Sequence, residues 1–569
     1  MRADIVRVYK SVHTWTGILC GMALFIAFYA GALSVFKEPL SRWVTPPAAE
    51  AGAPLPDAAR LISGVLRTHP EAAREFRLHL GEAGQVLARM SWKVREEGAD
   101  DHDQLSARHY VAAPDAEGRV RVEQARPSQL AEFIDVLHRV VGLPVDNDPS
   151  RWFMGLVAIL YTVALVSGVI VLLPSLVKDL FALRTGRNLK RMWLDAHNVV
   201  GILSLPFHLV MALTAVVFAF HDGIYFLQDR MIHEGRLAST FQGGRGAAGP
   251  AASRDPEAML PPAELVARVR ALSSGFEPTM LQYLHATGPR AVVRVWGRDP
   301  AALSPRALGG FAAVDPYSGR VVASDYLPGR QGLPYATVSS FFALHMASYG
   351  GAPLQWTYFL LGLAGAWLFY GGNLLWIESR RRRASRDGGA PPVQSLDTRL
   401  MASATVGVCL GCICGISLTI VAGKWLHGHV DDLNAWHRYV YYAALLSGVA
   451  WAFLRGGARA AVHLLWLATA FTLAIPLTSL LAWLVPSLGL WAHVDAAALG
   501  VDLTALAGAL CFAWLARATS RRVGLGPSDS VWSAHREAVS GRLGERHGAP
   551  PRYAATDSGD TAGAELRIR

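Results

Sequence analysis

A chain of 569 residues that is 52% hydrophobic and only 17% charged has too few ions for a water-soluble protein, in which about a quarter of the residues are charged. The expected class is therefore an integral membrane α-helical bundle. The formal net charge of +10 does not imply nucleic acid as a partner, because the basic residues sit at the ends of apolar runs, where they set orientation in a lipid bilayer.

The first run, Thr14 to Phe36, has the roughly 20 residues needed to span hydrocarbon and follows Arg2, Arg7 and Lys10, predicting a cytoplasmic N-terminus. A cleaved signal peptide is the competing reading, opposed by the length of the run and the lack of a small-x-small cleavage site. A polar stretch extends to Ser150, with a helix expected over Asp57–Arg67 and strands around Val86–Val94 and Arg108–Ala113. A second span, Arg151–Leu173, ends in a basic loop carrying Lys178, Arg184, Arg187, Lys190 and Arg191. The third, Met192–Phe220, leads to a second polar region ending near Tyr349. There Pro261–Leu272 reads as an amphipathic helix, Thr279–Leu284, Ala291–Trp296 and Gly309–Val314 as strands, and Asp315-Pro-Tyr-Ser-Gly319 as a turn. The fourth span, Leu354–Trp376, returns to the Arg380–Arg383 cluster.

Beyond a Gly/Pro linker, Asp387–Gln394, come the runs Leu400–Leu426, Arg438–Leu454, Ala461–Val485 and Ala496–Ala518, making about eight transmembrane helices. Basic loops at Arg455, Arg459 and Arg517, Arg521, Arg522 alternate with a Pro486–His493 loop lacking Lys and Arg, which puts both termini in the cytoplasm. The sequence thus divides into spans at 1–36, 151–173, 192–220 and 354–383, outer lobes at 37–150 and 221–350, a C-terminal four-helix membrane region at 400–518, and a cytoplasmic tail at 524–569 of disordered composition. Each lobe reads as a small α+β module, too small for a large core by itself.

The chain is duplicated. His13-Thr-Trp-Thr-Gly17-Ile-Leu aligns without a gap on His197-Asn-Val-Val-Gly201-Ile-Leu, and Phe133-Ile-Asp-Val-Leu-His138 corresponds to Phe341-Phe-Ala-Leu-His345. Histidine in a span is costly and marks a candidate site. Two matched pairs of neutral imidazoles, one near each face, are what two bis-histidine haem b groups require: two axial nitrogens per iron and an apolar slot between helices. His208 lies eleven residues after His197, on the same helical face about 16 Å further along, and stands as an alternative ligand; its counterpart in the first span is Leu24. The bland reading of all five is interfacial histidine with its polar tip toward headgroups.

The five cysteines, Cys20, Cys409, Cys412, Cys414 and Cys511, all lie within apolar runs, which argues against a disulfide framework. Cys409-x-x-Cys412-x-Cys414 sits in a Gly-rich helix where small residues serve packing rather than metal binding. His427, His429 and His437 with Asp431 and Asp432 read as a solvated loop, with a metal or substrate contact as the second reading, and Asp502 is deep enough to need a polar partner. No Walker-type loop and no GxGxxG fingerprint occurs where a strand enters a helix, and there is no HExxH motif.

The His-x-x-x-Gly entrances at His13 and His197, the Leu-His motifs at His138 and His345, and Val314-Asp-Pro-Tyr-Ser-Gly319-Arg-Val-Val resemble the PepSY-associated transmembrane helix family, which includes inner-membrane ferric-siderophore reductases. The resemblance covers about Met1 to Arg383. It implies a four-helix core holding two haems, with His13, His138, His197 and His345 as axial ligands, and PepSY-like periplasmic lobes. It also implies a cytoplasmic electron donor and a ferric siderophore as the substrate, in the bacterial inner membrane. The spans after Leu400 exceed the minimal family member, and a homo-oligomer is compatible with the sequence. Two rival readings stand beside it: a siderophore or metal-ion transporter, suggested by the repeat, and a PepSY-type regulatory membrane protein without redox activity.

Overall fold

The computed structural model describes residues 3–47, 58–80, 90–94, 108–115, 118–125, 128–145, 151–176, 189–231, 254–302, 309–383 and 392–534. Lys178, Arg184 and Arg187, most of the Gly/Pro linker and the tail beyond 534 lie outside these residues.

The chain is a multi-pass membrane protein. Helix α1 (Ala3–Ser34) is followed by the short α2 (Lys37–Val44), and then by α3 (Ala58–Thr68), β1 (Glu75–His79), β2 (Met90–Val94), β3 (Arg108–Pro114) and β4 (Val120–Ala125). Helix α4 (Leu130–Arg139) leads to α5 (Arg151–Leu172), α6 (Leu189–Leu203), α7 (Leu205–Ala219) and α8 (His221–Met231). The second polar segment holds α9 (Pro262–Leu272), β5 (Glu277–Leu284), β6 (Val292–Arg298), β7 (Gly310–Val314), β8 (Val321–Ala323) and α10 (Leu333–Met346). The chain returns in α11 (Gly351–Ser379) and continues as α12 (Leu396–Trp425), α13 (Leu433–Arg455), α14 (Gly457–Leu484) and α15 (Ala496–Leu525).

Six helices among the described residues, α1, α5, α11, α12, α14 and α15, are long and apolar enough to cross a membrane, against the eight spans expected. The third expected span is α6 and α7, bent by 68° at Ser204. Pro206 stands in the first turn of α7, where it removes a backbone donor and its ring prevents a straight continuation from the preceding turn. Counting that pair as one span gives up to seven. The sixth expected span is a complete 23-residue helix, α13, that falls short of the apolarity of the others and has Arg438 in its first two turns.

Glycines bring α12 against α13. A Cβ on Gly407 would sit 2.8 Å from the Val449 Cα, and one on Gly411 3.1 Å from the Leu445 carbonyl oxygen, so the i, i+4, i+8 row Gly407, Gly411, Gly415 lets the two backbones touch. Cys409, Cys412 and Cys414 are buried on the same helix, Cys412 beside Tyr441 of α13 and Cys414 against the Leu464 carbonyl of α14.

Outside the bundle the two polar segments do not form separate modules. Their strands make one antiparallel eight-stranded sheet in the order β4-β3-β2-β1-β5-β6-β7-β8, joined where β1 pairs with β5 from Glu75 opposite Leu284 to His79 opposite Met280. One face of the sheet (Phe76, Leu78, Trp92, Tyr283, Val295) packs with α3 and α9 through Val65, Leu265 and Val269. The alternate residues of β1, Glu75, Arg77 and His79, turn toward the bundle side and line a cavity there, as the period of two of a strand requires. The tail expected to be disordered from Gly524 is partly structured: α15 runs to Leu525, and Val531 and Trp532 pack beside Trp376 and Ile377.

Candidate functional site

The duplicated histidines meet in two pairs, each across the repeat. His13 on α1 faces His197 on α6 with ring centres 6.4 Å apart and planes at 71°. His138 on α4 faces His345 on α10 at 5.9 Å and 41°. The two pairs lie far apart along α1: His13 belongs to one pair, and Gly31 packs against the ring of His138 in the other. Those eighteen residues of helix amount to about 27 Å, close to the thickness of a hydrocarbon core.

Hydrogen bonds fix which nitrogen carries a proton in three of the four rings. His13 Nδ1 is 2.8 Å from the Ala164 carbonyl oxygen of α5, and His138 Nδ1 is 2.7 Å from the Ala27 carbonyl oxygen of α1. A carbonyl only accepts, so both Nδ1 atoms donate, which makes Nε2 the lone-pair nitrogen in the neutral form of each ring. His345 Nδ1 lies 2.7 Å from the Thr214 hydroxyl; that hydroxyl gives its own proton to the Val210 carbonyl, so His345 Nδ1 also donates. Burial, with His138 beside it, pushes His345 down to about 3, which holds this imidazole neutral. His197 Nδ1 is buried with no partner among the described residues.

The carbonyls that receive these bonds are exposed by glycine one turn later. In Ala27-Phe-Tyr-Ala-Gly31, a Cβ at Gly31 would lie 2.7 Å from His138 Nδ1. In Ala164-Leu-Val-Ser-Gly168, one at Gly168 would lie 2.9 Å from His13 Nδ1. Gly372 stands near His197 with 3.7 Å to its Cε1. These glycines, and Tyr161 and Thr214, were not singled out from the sequence; the shared Ala-x-x-x-Gly pattern was the available signal.

His208 stands apart from both pairs. It is 3% exposed, its Nδ1 is 2.5 Å from the Tyr161 hydroxyl, and its Nε2 is buried without a partner among the described residues. Its ring neighbours are Phe28, Tyr161, Phe207 and Phe369.

A cavity of about 2510 Å³ opens between the sheet and the bundle. Its floor holds His138 and His345, and an apolar recess descends past Phe28, Ala158, Phe207 and Met211 to Tyr161. Its roof includes Arg77, His79 and Ser91; burial, reinforced by Arg77, lowers His79 to about 4. At the rim Lys37 Nζ is 2.6 Å from Glu132 and 3.1 Å from Asp135, and Arg139 reaches both carboxylates. Burial favours the neutral Asp135 carboxyl, but Lys37, followed by Arg139 and His138, brings it below the usual carboxylate range.

Chemically, each pair can grip one metal ion. An imidazole–metal bond is about 2 Å, and adding roughly 1 Å from nitrogen to ring centre on each side gives about 6 Å between the rings. Edge-to-face ring contacts reach the same spacing; the Nδ1–H bonds go further, because a metal-ligating histidine donates its second nitrogen to a carbonyl or similar acceptor. The donor set is imidazole nitrogen, and at the His138–His345 pair, which lines the cavity, an apolar recess lies alongside, as a haem iron requires. Among the described residues no group of three or more His, Cys, Asp or Glu side chains converges as a metal cage. The Cys409–Cys414 segment is packing, and His427 and His429 sit in a loop beside Trp491 and Tyr439.

Residues 10–379 match the family model described as the PepSY-associated TM region. No curated protein matches the chain.

Proposed function

This chain belongs to the PepSY-associated TM family, and we propose that it is a haem-containing inner-membrane reductase that passes electrons across the bilayer to ferric iron held by a siderophore in the periplasm. The observation that carries this reading is the double pairing: His13 with His197 and His138 with His345, at opposite ends of α1, with Nδ1 of three of the four rings already bonded.

His13 and His197 would hold one haem b and His138 and His345 the other, and the group supplies one-electron transfer when bound. The residues around the rings do the rest. The carbonyls of Ala27 and Ala164 and the Thr214 hydroxyl orient the rings and raise the basicity of Nε2. Phe28, Ala158, Phe207 and Met211 keep the recess apolar and exclude water. The sheet roofs the chamber above His138 and His345, where the substrate would be reduced after a cytoplasmic donor has given its electron at the far end. Siderophore oxygens are hard ligands that hold Fe(III) better than Fe(II), so a single electron weakens the complex.

The test is the absorption spectrum of purified protein. The reading expects a haem Soret band reducible by dithionite and reoxidised by ferric siderophore. His138→Ala or His345→Ala should remove about half of the bound haem, and His13→Ala with His138→Ala nearly all of it. Protein expressed with adequate haem that has no Soret band would overturn the reading. The 68° break between α6 and α7 favours a second reading, a siderophore or metal-ion transporter, since broken helices frame transport sites; uptake into proteoliposomes with no electron donor would select it.

A further inference from the structure

The helices after residue 395 contribute no ring to either pair, yet they are built around the two short helices that carry one of those rings. Helix α2 is seized at its end. Trp43, 1% exposed, donates its indole N–H to Asp502 at 2.9 Å and lies 3.2 Å from the Ser479 hydroxyl. Lys424, also 1% exposed, holds its ammonium 3.6 Å from the centre of the Trp43 ring and donates to the Trp491 carbonyl at 3.0 Å. Arg42 pairs with Asp495 at 3.0 Å, and His493 donates to the Thr45 carbonyl at 2.8 Å.

Helix α4 is held at its start. The backbone N–H of Gln129 donates to the Asn434 side-chain oxygen at 3.0 Å, Ser128 lies 3.5 Å from Nε2 of the buried His437, and Phe133 meets Tyr441 edge-on. Lys37 then ties α2 to α4 through Glu132 and Asp135, one turn before His138. A ten-residue helix has little stability alone, and its first N–H groups have no partner within it. Receiving that partner from α13 fixes both the height and the rotation of α4. Burying a lysine, with a half-buried aspartate close by, at a seam that aliphatic residues would fill at lower cost points to placement rather than to cohesion.

We infer that the C-terminal four-helix region is a clasp for α2 and α4, and that Asn434, His437, Lys424 and Trp43 are positioning residues for His138. The link to an iron ligand rests on the function proposed above; the clasp itself does not.

The experiment compares full-length wild type with Asn434→Leu and, separately, Lys424→Met, by hydrogen–deuterium exchange and by the low-spin ferric resonance of the bound haem. Loss of one hydrogen bond to Gln129 should raise amide exchange over 130–139 about tenfold with α6 unaffected. The resonance of one iron should shift while the other is kept. Asn434→Asp, which keeps an acceptor in place, should behave as wild type. Faster exchange in α4 of a protein without any haem signal would uphold the clasp and sink the electron-transfer reading. Unchanged exchange in α4, or equal loss of both resonances with exchange rising throughout, would overturn the clasp. If Lys424→Met does not fold, Asn434→Leu decides alone.

Discussion

The seam where α12 meets α13 and the histidine-bearing helices of the N-terminal half are packed on different principles. In the C-terminal half, 78% of the most apolar window of α12 is buried, backbones touch at Gly407 and Gly411, and polar groups such as Ser417 and Thr472 bond to one another. In the N-terminal half the corresponding share of α5 is 28%, a chamber reaches down to Tyr161, and Gly31 and Gly168 face histidine rings. Small residues therefore serve two ends in one chain: close helix contact at Gly407 and Gly411, and room for an imidazole ring at Gly31 and Gly168.

The sharpest way to break that comparison is to place the same side chain in both halves. On the proposed haem reading, Gly31→Val and Gly168→Val should each displace one histidine and cost its haem, and Gly31→Val should do so with a near-normal melting temperature, because it clashes with the His138 ring, which borders the cavity. Gly407→Val should do the reverse, keeping the spectrum in whatever fraction folds but lowering thermal stability by an overpacking cost of about 1–3 kcal/mol. Equal loss of stability and haem in all three would erase the distinction. A smaller effect is expected at Tyr161. Removing its hydroxyl in Tyr161→Phe leaves His208 Nδ1 without its partner, a loss of about 1 kcal/mol visible as a lower melting temperature, with both haems retained. Loss of a haem there would instead promote His208 to a ligand.

The smallest effect concerns the roof. His79 titrates near 4 when folded and near its ordinary 6.5 when unfolded, so the unfolded state binds more protons between these values. The stability contributed by the neutral ring is full above 6.5 and declines as pH falls toward 4. His79→Gln should flatten that decline in thermal melts at pH 4 to 7, and an unchanged slope would remove His79 as its cause.

Most of the helices were legible because apolar runs of membrane length have few alternative readings. The histidine pairs were legible from the duplication: His13 and His197, like His138 and His345, occupy equal places in the two repeats, and the bundle sets equal places face to face. The bend at Ser204 was harder to see, since Pro206 reads equally well as a tolerated kink. Strand β1 was missed, although Glu75-Phe-Arg-Leu-His79 alternates; five residues so rich in charge resemble a loop, and only pairing with β5 gives its polar face a chamber to line. The positions that orient the rings were invisible because a backbone carbonyl has no letter in the sequence.

The β1–β5 pairing has a consequence for how the protein meets its surroundings and how it is made. Two independent sheets would present four unprotected borders to other chains, whereas the joined sheet presents two, β4 and the three-residue β8, and so offers fewer templates for adventitious strand addition. The joining strand arrives late: Phe76 must wait for Tyr283, which the ribosome supplies only after the intervening hydrophobic segments have been made, so the joined sheet is completed only once those segments have left the ribosome.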